Sequence, residues 1–161
     1  MTSMKITIRL MTMSDYFQVH EVDILTQQQY LGDKFNMMNT EEQETHLVSR
    51  NTEFAKNVNT GYCFVAEENK EIVGFILAHE TLPFRGKLYI RYIGINPIHQ
   101  DKGIGLLLCK KLIERAKNTN IGEIWALINT DNPSSEKLHK KLGFKISLRK
   151  QATLELKGKK L

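Results

Sequence analysis

The sequence has 161 residues, of which 41% are hydrophobic and 25% charged, with ten glycines and three prolines. This length and composition predict a single globular domain over residues 1–161 and exclude disordered, collagen-like and low-complexity proteins. The formal net charge of +5 is unevenly divided: residues 1–84 carry six basic and twelve acidic side chains, and residues 85–161 carry seventeen and six. The basic half therefore favours an anionic partner and the acidic half a cationic one, unless the two halves mix in space.

The sequence also lacks signals for export, membrane insertion and metal binding. Its longest nearly unbroken apolar run, at 72–78, is far shorter than the roughly 20 residues that a membrane-spanning helix needs. Residues 1–10 have no apolar core of the kind found in a secretory signal. The two cysteines, Cys63 and Cys109, predict neither a disulfide framework nor a zinc site. We therefore expect a cytoplasmic protein with no metal and no membrane contact.

The chain alternates between the two-residue period of strands and the 3.6-residue period of helices. Acidic residues favour the first turn of the second helix, and a proline and a glycine bound the last one. The elements predicted in chain order are a strand at 5–10, a helix from Ser14 or Asp15 through Leu25, a helix from Thr40 to about Val58, a hairpin of strands at 62–67 and 71–80, a strand at 88–95, a helix from about Gly103 to Ala116, a strand at 122–128, a helix at 133–142, and two strands at 144–148 and 152–156 before a frayed tail at 158–161.

Residues 93–105 combine the end of a strand, a turn and the start of a helix. Two glycines at a helix start let a phosphate approach the backbone, and the free amides of the first turn attract an anion. Lys102 adds a positive charge at the same end. Taken alone, the pattern also fits a tight strand-to-helix turn. The dinucleotide pattern G-x-G-x-x-G is absent, because Leu108 stands at its third glycine.

The sequence resembles the GNAT superfamily of acetyl-CoA-dependent N-acetyltransferases at two places. The family's pyrophosphate-loop pattern, Q/R-x-x-G-x-G/A, matches Gln100-Asp101-Lys102-Gly103-Ile104-Gly105. A later family pattern, N-x-x-A/S-x-x-L/F-Y-x-K/R-x-G-F, resembles the segment from Asn132 to Phe144. Two motifs in this order are much more specific than either one alone, and the detailed match covers residues 88–145.

The resemblance implies an α/β (α+β) fold with a mixed, mostly antiparallel sheet of about seven strands flanked by about four helices. The sheet would be splayed between strands 4 and 5, at 88–95 and 122–128, and acetyl-CoA would lie in the splay. The acetyl group would pass directly to a primary amine of a small molecule, peptide or protein, without a covalent enzyme intermediate. A catalytically inactive acyl-CoA-binding regulatory module is the alternative. The strands at 144–148 and 152–156 would offer a homodimer edge, and nucleic-acid binding is disfavoured because the basic helices lack interleaved aromatics.

The coenzyme contacts implied by the resemblance can be carried over position by position. The backbones of Ile93 and Ile95 would pair with the pantetheine arm, and the Ile95 amide would donate to the developing oxyanion. The amides of 100–105 would hold the pyrophosphate, while Asn132 and Ser135 would contact the arm from the other side. The predicted coenzyme set is Ile93, Gly94, Ile95, Gln100, Asp101, Lys102, Gly103, Ile104, Gly105, Asn132 and Ser135.

The predicted general acid departs from the family pattern. His139 stands where the family has a tyrosine whose hydroxyl protonates the departing coenzyme A thiolate. An imidazolium can donate this proton, although an imidazole is less often protonated at neutral pH than a phenol. We therefore predict His139 as the acid. The alternatives are a thiolate that leaves unassisted and a His139 that is merely a partly exposed helix residue.

The general base and the acceptor are less well defined by the sequence. The glutamate that many family members carry on the strand at 88–95 is absent, and Glu80 is the predicted base. His79, Glu21 and Asp23 are further candidates, and a water relay or an α-amine substrate would need none of them. Polyamines, aminoglycosides, amino acids, protein N-termini and lysine side chains all remain open as acceptors.

Overall fold

The structure is a computed structural model that describes residues 5–156, so the tail predicted at 158–161 lies outside the described residues. Within this range the chain forms five strands and six α-helices. In chain order these are β1 (Thr7–Leu10), α1 (Tyr16–Leu31), α2 (Asp33–Met37), α3 (Thr40–His46), α4 (Asn51–Asn59), β2 (Phe64–Glu68), β3 (Glu71–Glu80), β4 (Lys87–Ile95), α5 (Ile104–Lys117), β5 (Glu123–Ala126) and α6 (Pro133–Lys141), with 3-10 turns at Met13–Asp15 and Pro97–His99.

The strands form one sheet in the order β1-β2-β3-β4-β5. The first three pairings are antiparallel and the last, between β4 and β5, is parallel. The predicted mixed, mostly antiparallel sheet is therefore confirmed. Among the described residues, no helix has both the length and the apolar character needed to cross a membrane.

The two strands predicted at 144–148 and 152–156 are wrong, so the prediction of about seven strands and four helices fails in detail. Residues 144–156 contain no strand, and the apolar side chains beyond the half-buried Phe144 are exposed, with Leu148 87% and Leu154 82% exposed. Alternating apolar residues become a strand only where a neighbouring strand pairs with their backbone. The homodimer edge predicted on these strands therefore has no paired strands to build on.

The long helix predicted from Thr40 to about Val58 is divided into α3 and α4. Its start is as expected, because Asn39 and Glu42 cap α3 reciprocally. The break comes at residues 47–50, where the Ser49 N–H donates to the Asp23 carboxylate of α1 at 2.8 Å. This long-range bond replaces a helical one, and it has no signature in the local sequence.

The sheet separates two apolar clusters. One lies under α5 and contains the inward-facing residues of that helix together with Ile90 of β4. The other lies under α1 and α4 and contains Val19, Val22 and Phe54. The two faces of the sheet are thus covered by different helices.

A bulge in β4 coincides with the opening of the sheet. Opposite β3, Leu77 pairs with Tyr92 and Ala78 pairs with Ile90, so Arg91 is an extra residue. The parallel pairing with β5 also ends at Ile90, which faces Ala126. Residues 91–95 of β4 therefore have no β5 partner, as expected for a sheet that opens between strands 4 and 5.

The bulge also changes which side chains face each helix layer. Ile90 and Ile93 both pack against the α5 cluster. Between them, Arg91 reaches Glu53 of α4 and Tyr92 packs against the α1/α4 cluster. Two consecutive side chains thus face the same side of the sheet at the point where it opens.

Candidate active site

The turn before α5 presents a helix N-terminus to solvent. Positive φ angles at Asp101 (62°) and Gly103 (78°) bend the chain into the helix. No side chain caps the first turn, and a Cβ on Gly103 would meet no atom within 4 Å. The first amides of this 14-residue helix are therefore open to an anionic group, which the helix dipole also favours.

Two side chains anchor this turn on either side. The Gln100 amide exchanges hydrogen bonds with Gln29 of α1 at 2.8 and 3.1 Å. The His99 Nδ1 lies 3.3 Å from a carboxylate oxygen of Glu68, which is largely buried at the end of β2. The Gln100 side chain is thus engaged with α1, and its backbone N–H donates to the Pro97 carbonyl at 3.4 Å.

Most of the other predicted coenzyme residues are brought close to this turn. Ile93 and Ile95 pack against the same cluster as Ile104 and Leu138, so the open stretch of β4, the start of α5 and helix α6 are neighbours. A Cβ on Gly105 would lie 3.5 Å from the Leu138 side chain. Farther along the chain, Asn132 caps α6 by accepting from the Ser135 N–H at 3.1 Å. The open stretch of β4, the turn before α5 and helix α6 thus lie next to one another.

His139 is buried on α6, with 2% of its surface exposed, so the alternative of a partly exposed residue is wrong. Its Nδ1 donates to the Ser135 carbonyl at 2.7 Å, and its ring packs edge-on against Phe144 at 4.9 Å between centroids. This bond leaves Nε2 as the free nitrogen. Nε2 is buried and has no hydrogen-bond partner within residues 5–156, which is an unfavourable state for a polar atom without a ligand.

Glu80, the predicted base, lies at the end of β3 and pairs with Leu88 of β4. Leu88 is three residues before the bulge residue Arg91. The carboxylate closest to the bulge is instead Glu53, whose oxygen lies 3.1 Å from Arg91 Nη2. The sequence did not reveal Glu53 as a site residue, because it is 38 positions from Arg91 and belongs to no local motif. A charged residue on the bulged strand was the available signal.

Glu53 and Arg91 border a cavity of about 280 Å³, which we call the α4 pocket. It lies between α4, β3 and β4 on the side of the sheet opposite α5. Its lining residues are Glu53, Lys56, Asn57, Thr60, His79 and Arg91. A larger open groove of about 650 Å³, between α1, α3 and the start of α4, is lined by none of the predicted site residues.

Next to the bulge, the Tyr92 hydroxyl belongs to a buried polar network with Thr26 and Asp23. Its hydroxyl lies 2.8 Å from Thr26 Oγ, and Thr26 in turn donates to the Asp23 carbonyl at 2.8 Å, so the phenol donates to Thr26. Burial raises the pKa of Tyr92 to about 12. Tyr92 is therefore neutral at physiological pH, and its hydroxyl proton is donated to Thr26.

Asp23, a further base candidate, is fully buried at the centre of this network. One carboxylate oxygen accepts from both the amide and the hydroxyl of Ser49, at 2.8 and 2.7 Å. Burial raises the pKa of Asp23 above its ordinary value, although these hydrogen bonds oppose the shift. Glu21, by contrast, is exposed on α1. The two hydrogen bonds from Ser49 to the Asp23 carboxylate therefore connect α1 to the turn before α4.

A family model described as the acetyltransferase (GNAT) family matches residues 27–144. The chain belongs to this family. The predicted family and enzyme class are thereby confirmed, and acetyl-CoA is the acetyl donor of GNAT acetyltransferases, as predicted.

Two relatives and one solved structure illustrate the similarity. The L-2,4-diaminobutyric acid acetyltransferase of Shouchella clausii is 36% identical over 80 residues, which are 50% of this chain and 45% of that protein. The ribosomal protein bS18-alanine N-acetyltransferase of Haemophilus influenzae is 32% identical over 113 residues, 68% of this chain and 74% of that protein. The PaiA N-acetyltransferase of Thermoplasma acidophilum, solved with coenzyme A, has a TM-score of 0.75 at 19% identity, covering 89% of this chain and 92% of that one.

These comparisons differ in what they show. The solved structure shares the fold with this GNAT chain. The chain spans about half the length of the first curated relatives it matches. The likeness therefore establishes family and fold, and the acceptor must be argued from this chain's own site.

Proposed function

We propose that this chain is an acetyl-CoA-dependent N-acetyltransferase that transfers the acetyl group directly to an amine. The observation that carries the proposal is the proximity of the open stretch of β4, residues 91–95, to the uncapped start of α5. A strand edge without a partner can pair with an extended, amide-bearing arm, and uncapped helix amides can hold a pyrophosphate. Coenzyme A has both groups in series.

The proposed coenzyme contacts follow from this arrangement of β4 and α5. The amides of 101–105 bind the pyrophosphate, and Lys102 adds a positive charge beside it. The backbones of Ile93 and Ile95 pair with the pantetheine arm, and the Ile95 amide donates to the oxyanion. Asn132 and Ser135, at the start of α6, contact the arm from the opposite side.

The reaction requires two proton movements. A neutral amine attacks the thioester carbonyl, so that a C–N bond forms, the C–S bond breaks, the nitrogen loses a proton and the coenzyme A thiolate gains one. We assign the proton donation to His139, because Nδ1 is committed to Ser135 and the buried Nε2 is free to face the thiol. In its protonated form the ring presents Nε2–H to the departing sulfur.

A thiol-release assay on His139 variants tests the acid. His139→Phe keeps the ring contact with Phe144 but has no Nε2, so we expect kcat to fall by about 100-fold with little change in the KM for acetyl-CoA. His139→Tyr supplies a hydroxyl at the same place and should recover most of the loss. Full turnover in the Phe variant would show that the thiolate leaves unassisted. It would contradict the assignment of His139 as the acid but not the proposed acetyltransferase activity.

The base is tested by comparing two carboxylates. Glu80 is the predicted base, and Glu53 lies beside the bulge, where the sheet opens. A base must deprotonate the amine, so its removal should lower kcat/KM most at low pH, where a smaller fraction of the amine is neutral. The pH profile of kcat/KM for Glu80→Gln and Glu53→Gln therefore identifies which carboxylate acts. An unchanged profile in both variants would point to a water relay.

A second candidate function is an acyl-CoA-binding regulatory module without catalysis. It is favoured by His139 in place of the family tyrosine and by the absence of a glutamate on β4. Calorimetry with acetyl-CoA and thiol release over a broad amine panel separate the two functions. Tight coenzyme binding with no thiol release for any amine would favour the module.

Acceptor, assembly and location belong to the proposal as well. The two relatives named above act, by their names, on an amino acid and on an alanine of a ribosomal protein. Both kinds of amine are candidates for this chain. The homodimer and the cytoplasmic location stay predictions, which size-exclusion chromatography with light scattering and cell fractionation can test.

A further inference from the structure

The α4 pocket contains more hydrogen-bond donors than the protein itself uses. Asn57 is only 6% exposed, and its amide nitrogen is buried without a partner in the described part of the chain. A buried amide donor without an acceptor is unfavourable, so native proteins rarely leave one unless a ligand or water supplies the acceptor. Asn57 therefore offers an unused donor to an accepting oxygen of a ligand in this pocket.

The charges of the pocket specify that this group is an anion. Arg91 and Lys56 line it together with the single carboxylate of Glu53, which Arg91 contacts at 3.1 Å. Over residues 5–156, no carboxylate lies within ion-pair distance of Lys56. The lining thus carries one positive charge in excess. A planar guanidinium beside an amide donor matches the geometry of a carboxylate, which can accept from two nitrogens at once.

The position of the pocket links it to the reaction. Arg91 is the extra residue of the β4 bulge and the first residue beyond the β4–β5 pairing. Its backbone therefore borders the opening through which the proposed function places the thioester, while its side chain extends into the α4 pocket. An anion held by Arg91 would keep the rest of a small molecule beside the opening.

We propose that the α4 pocket binds the carboxylate of the acceptor, and that the acceptor is a small amino acid. This inference rests on the proposed function, since it names the substrate class of the same site. The cavity of about 280 Å³ accommodates a small molecule but not a folded protein. Polyamines and aminoglycosides bring only positive charge to a lining that is already positive, and a protein N-terminus has no carboxylate next to its amine.

Binding and turnover are measured on ligands that differ only in the carboxylate. L-2,4-Diaminobutyrate is compared with 1,3-diaminopropane, which is the same diamine without the carboxylate, and L-alanine is compared with L-alaninamide. Calorimetry uses the full chain saturated with coenzyme A, so that it does not depend on catalysis. For at least one pair we expect the carboxylate to improve affinity and kcat/KM by at least tenfold.

Matched variants assign that preference to the pocket. Arg91→Gln should abolish the preference for the carboxylate, and Asn57→Ala should reduce it several-fold, with acetyl-CoA affinity unchanged in both. Asn59→Ala is the control, because Asn59 is exposed on the same helix and should change neither value. Arg91→Lys retains the charge and should retain part of the preference, even where the Gln variant is poorly folded.

The outcomes separate the two proposals. A carboxylate preference that disappears in Arg91→Gln, but without turnover, supports the pocket and overturns the proposed acetyl transfer. Turnover of amines with no gain from the carboxylate, or a gain that Arg91→Gln leaves intact, overturns the pocket and preserves the acetyltransferase. Failure of both amino acids to bind also overturns the inference.

Discussion

The two faces of the sheet are stabilised in different ways. The residues that α5 buries on one face are all apolar or weakly polar: Ile104, Leu108, Cys109, Leu112 and Ala116. On the other face, α1, α4 and the turn between α3 and α4 bury five polar side chains, namely Asp23, Thr26, Gln27, Ser49 and Asn57. In the proposed function, the first face would bind the coenzyme through backbone groups, and the second would recognise the acceptor through side chains.

This difference has a chemical consequence. Backbone amides at a helix start bind any suitably placed phosphate and depend little on the neighbouring side chains. Side-chain donors such as Arg91 and Asn57 distinguish one acceptor from another, because a ligand without the matching acceptor leaves them unpaired. We therefore expect substitutions to act through the backbone on the coenzyme side and through side chains on the acceptor side.

Gly103→Glu should have the largest effect, a loss of coenzyme A affinity of about 100-fold or more. The substitution forces a side chain into positive φ (78°) and places a carboxylate at the anion turn. Calorimetry with coenzyme A measures the loss. Gly32→Glu is the control, because Gly32 also has positive φ (59°) and open surroundings but lies at the end of α1. Unchanged coenzyme A affinity in Gly103→Glu would contradict the proposal that the turn before α5 binds the pyrophosphate.

Asp23→Ala should lower the free energy of unfolding by about 3 kcal/mol, because it leaves the amide and hydroxyl of Ser49 buried without an acceptor. Urea denaturation measures the change. Glu21→Ala, at an exposed position on the same helix, should change stability by less than about 0.5 kcal/mol. Equal effects of the two substitutions would contradict the view that buried side chains organise the acceptor face.

Thr26→Val should cost about 1 kcal/mol, because the Tyr92 hydroxyl loses its acceptor. Adding Tyr92→Phe should recover part of that loss, since the orphaned hydroxyl is then gone as well. Urea denaturation of the two single variants and the double variant gives the interaction free energy between Thr26 and Tyr92. Strictly additive losses would show that the hydrogen bond contributes nothing to stability.

Asp23→Asn should change how stability depends on pH, with a smaller effect. Burial raises the folded pKa of Asp23 above its ordinary value of 3.8, so the folded state binds more protons there than the unfolded state. This contribution is present below pH 3.8 and is lost as the pH rises through the folded pKa. The stability of the Asn variant relative to the wild type should therefore increase with pH in urea titrations. A constant difference would mean that Asp23 titrates alike in both states.

The coenzyme side was largely predictable because its chemistry is contiguous. The turn at 100–105 and the start of α5 next to Gly103 were predicted within a residue, and the splay follows from the β4–β5 register. The prediction that one helix runs from Thr40 to about Val58 failed, since the break at Ser49 depends on Asp23, 26 residues earlier. The sequence analysis also did not predict the burial of His139, whose ring packs against Phe144.

By itself, the sequence determined the family, the helix start that can hold a pyrophosphate, and the position of the residue that replaces the family tyrosine. These depend on residues within one turn or one motif, where backbone geometry follows from local composition. The tertiary structure alone decided that Arg91 is a bulge residue, that Glu53 contacts it, and that Asn57 lines the same pocket. Their proximity comes from strand register and helix packing, and both depend on contacts between residues far apart in the chain.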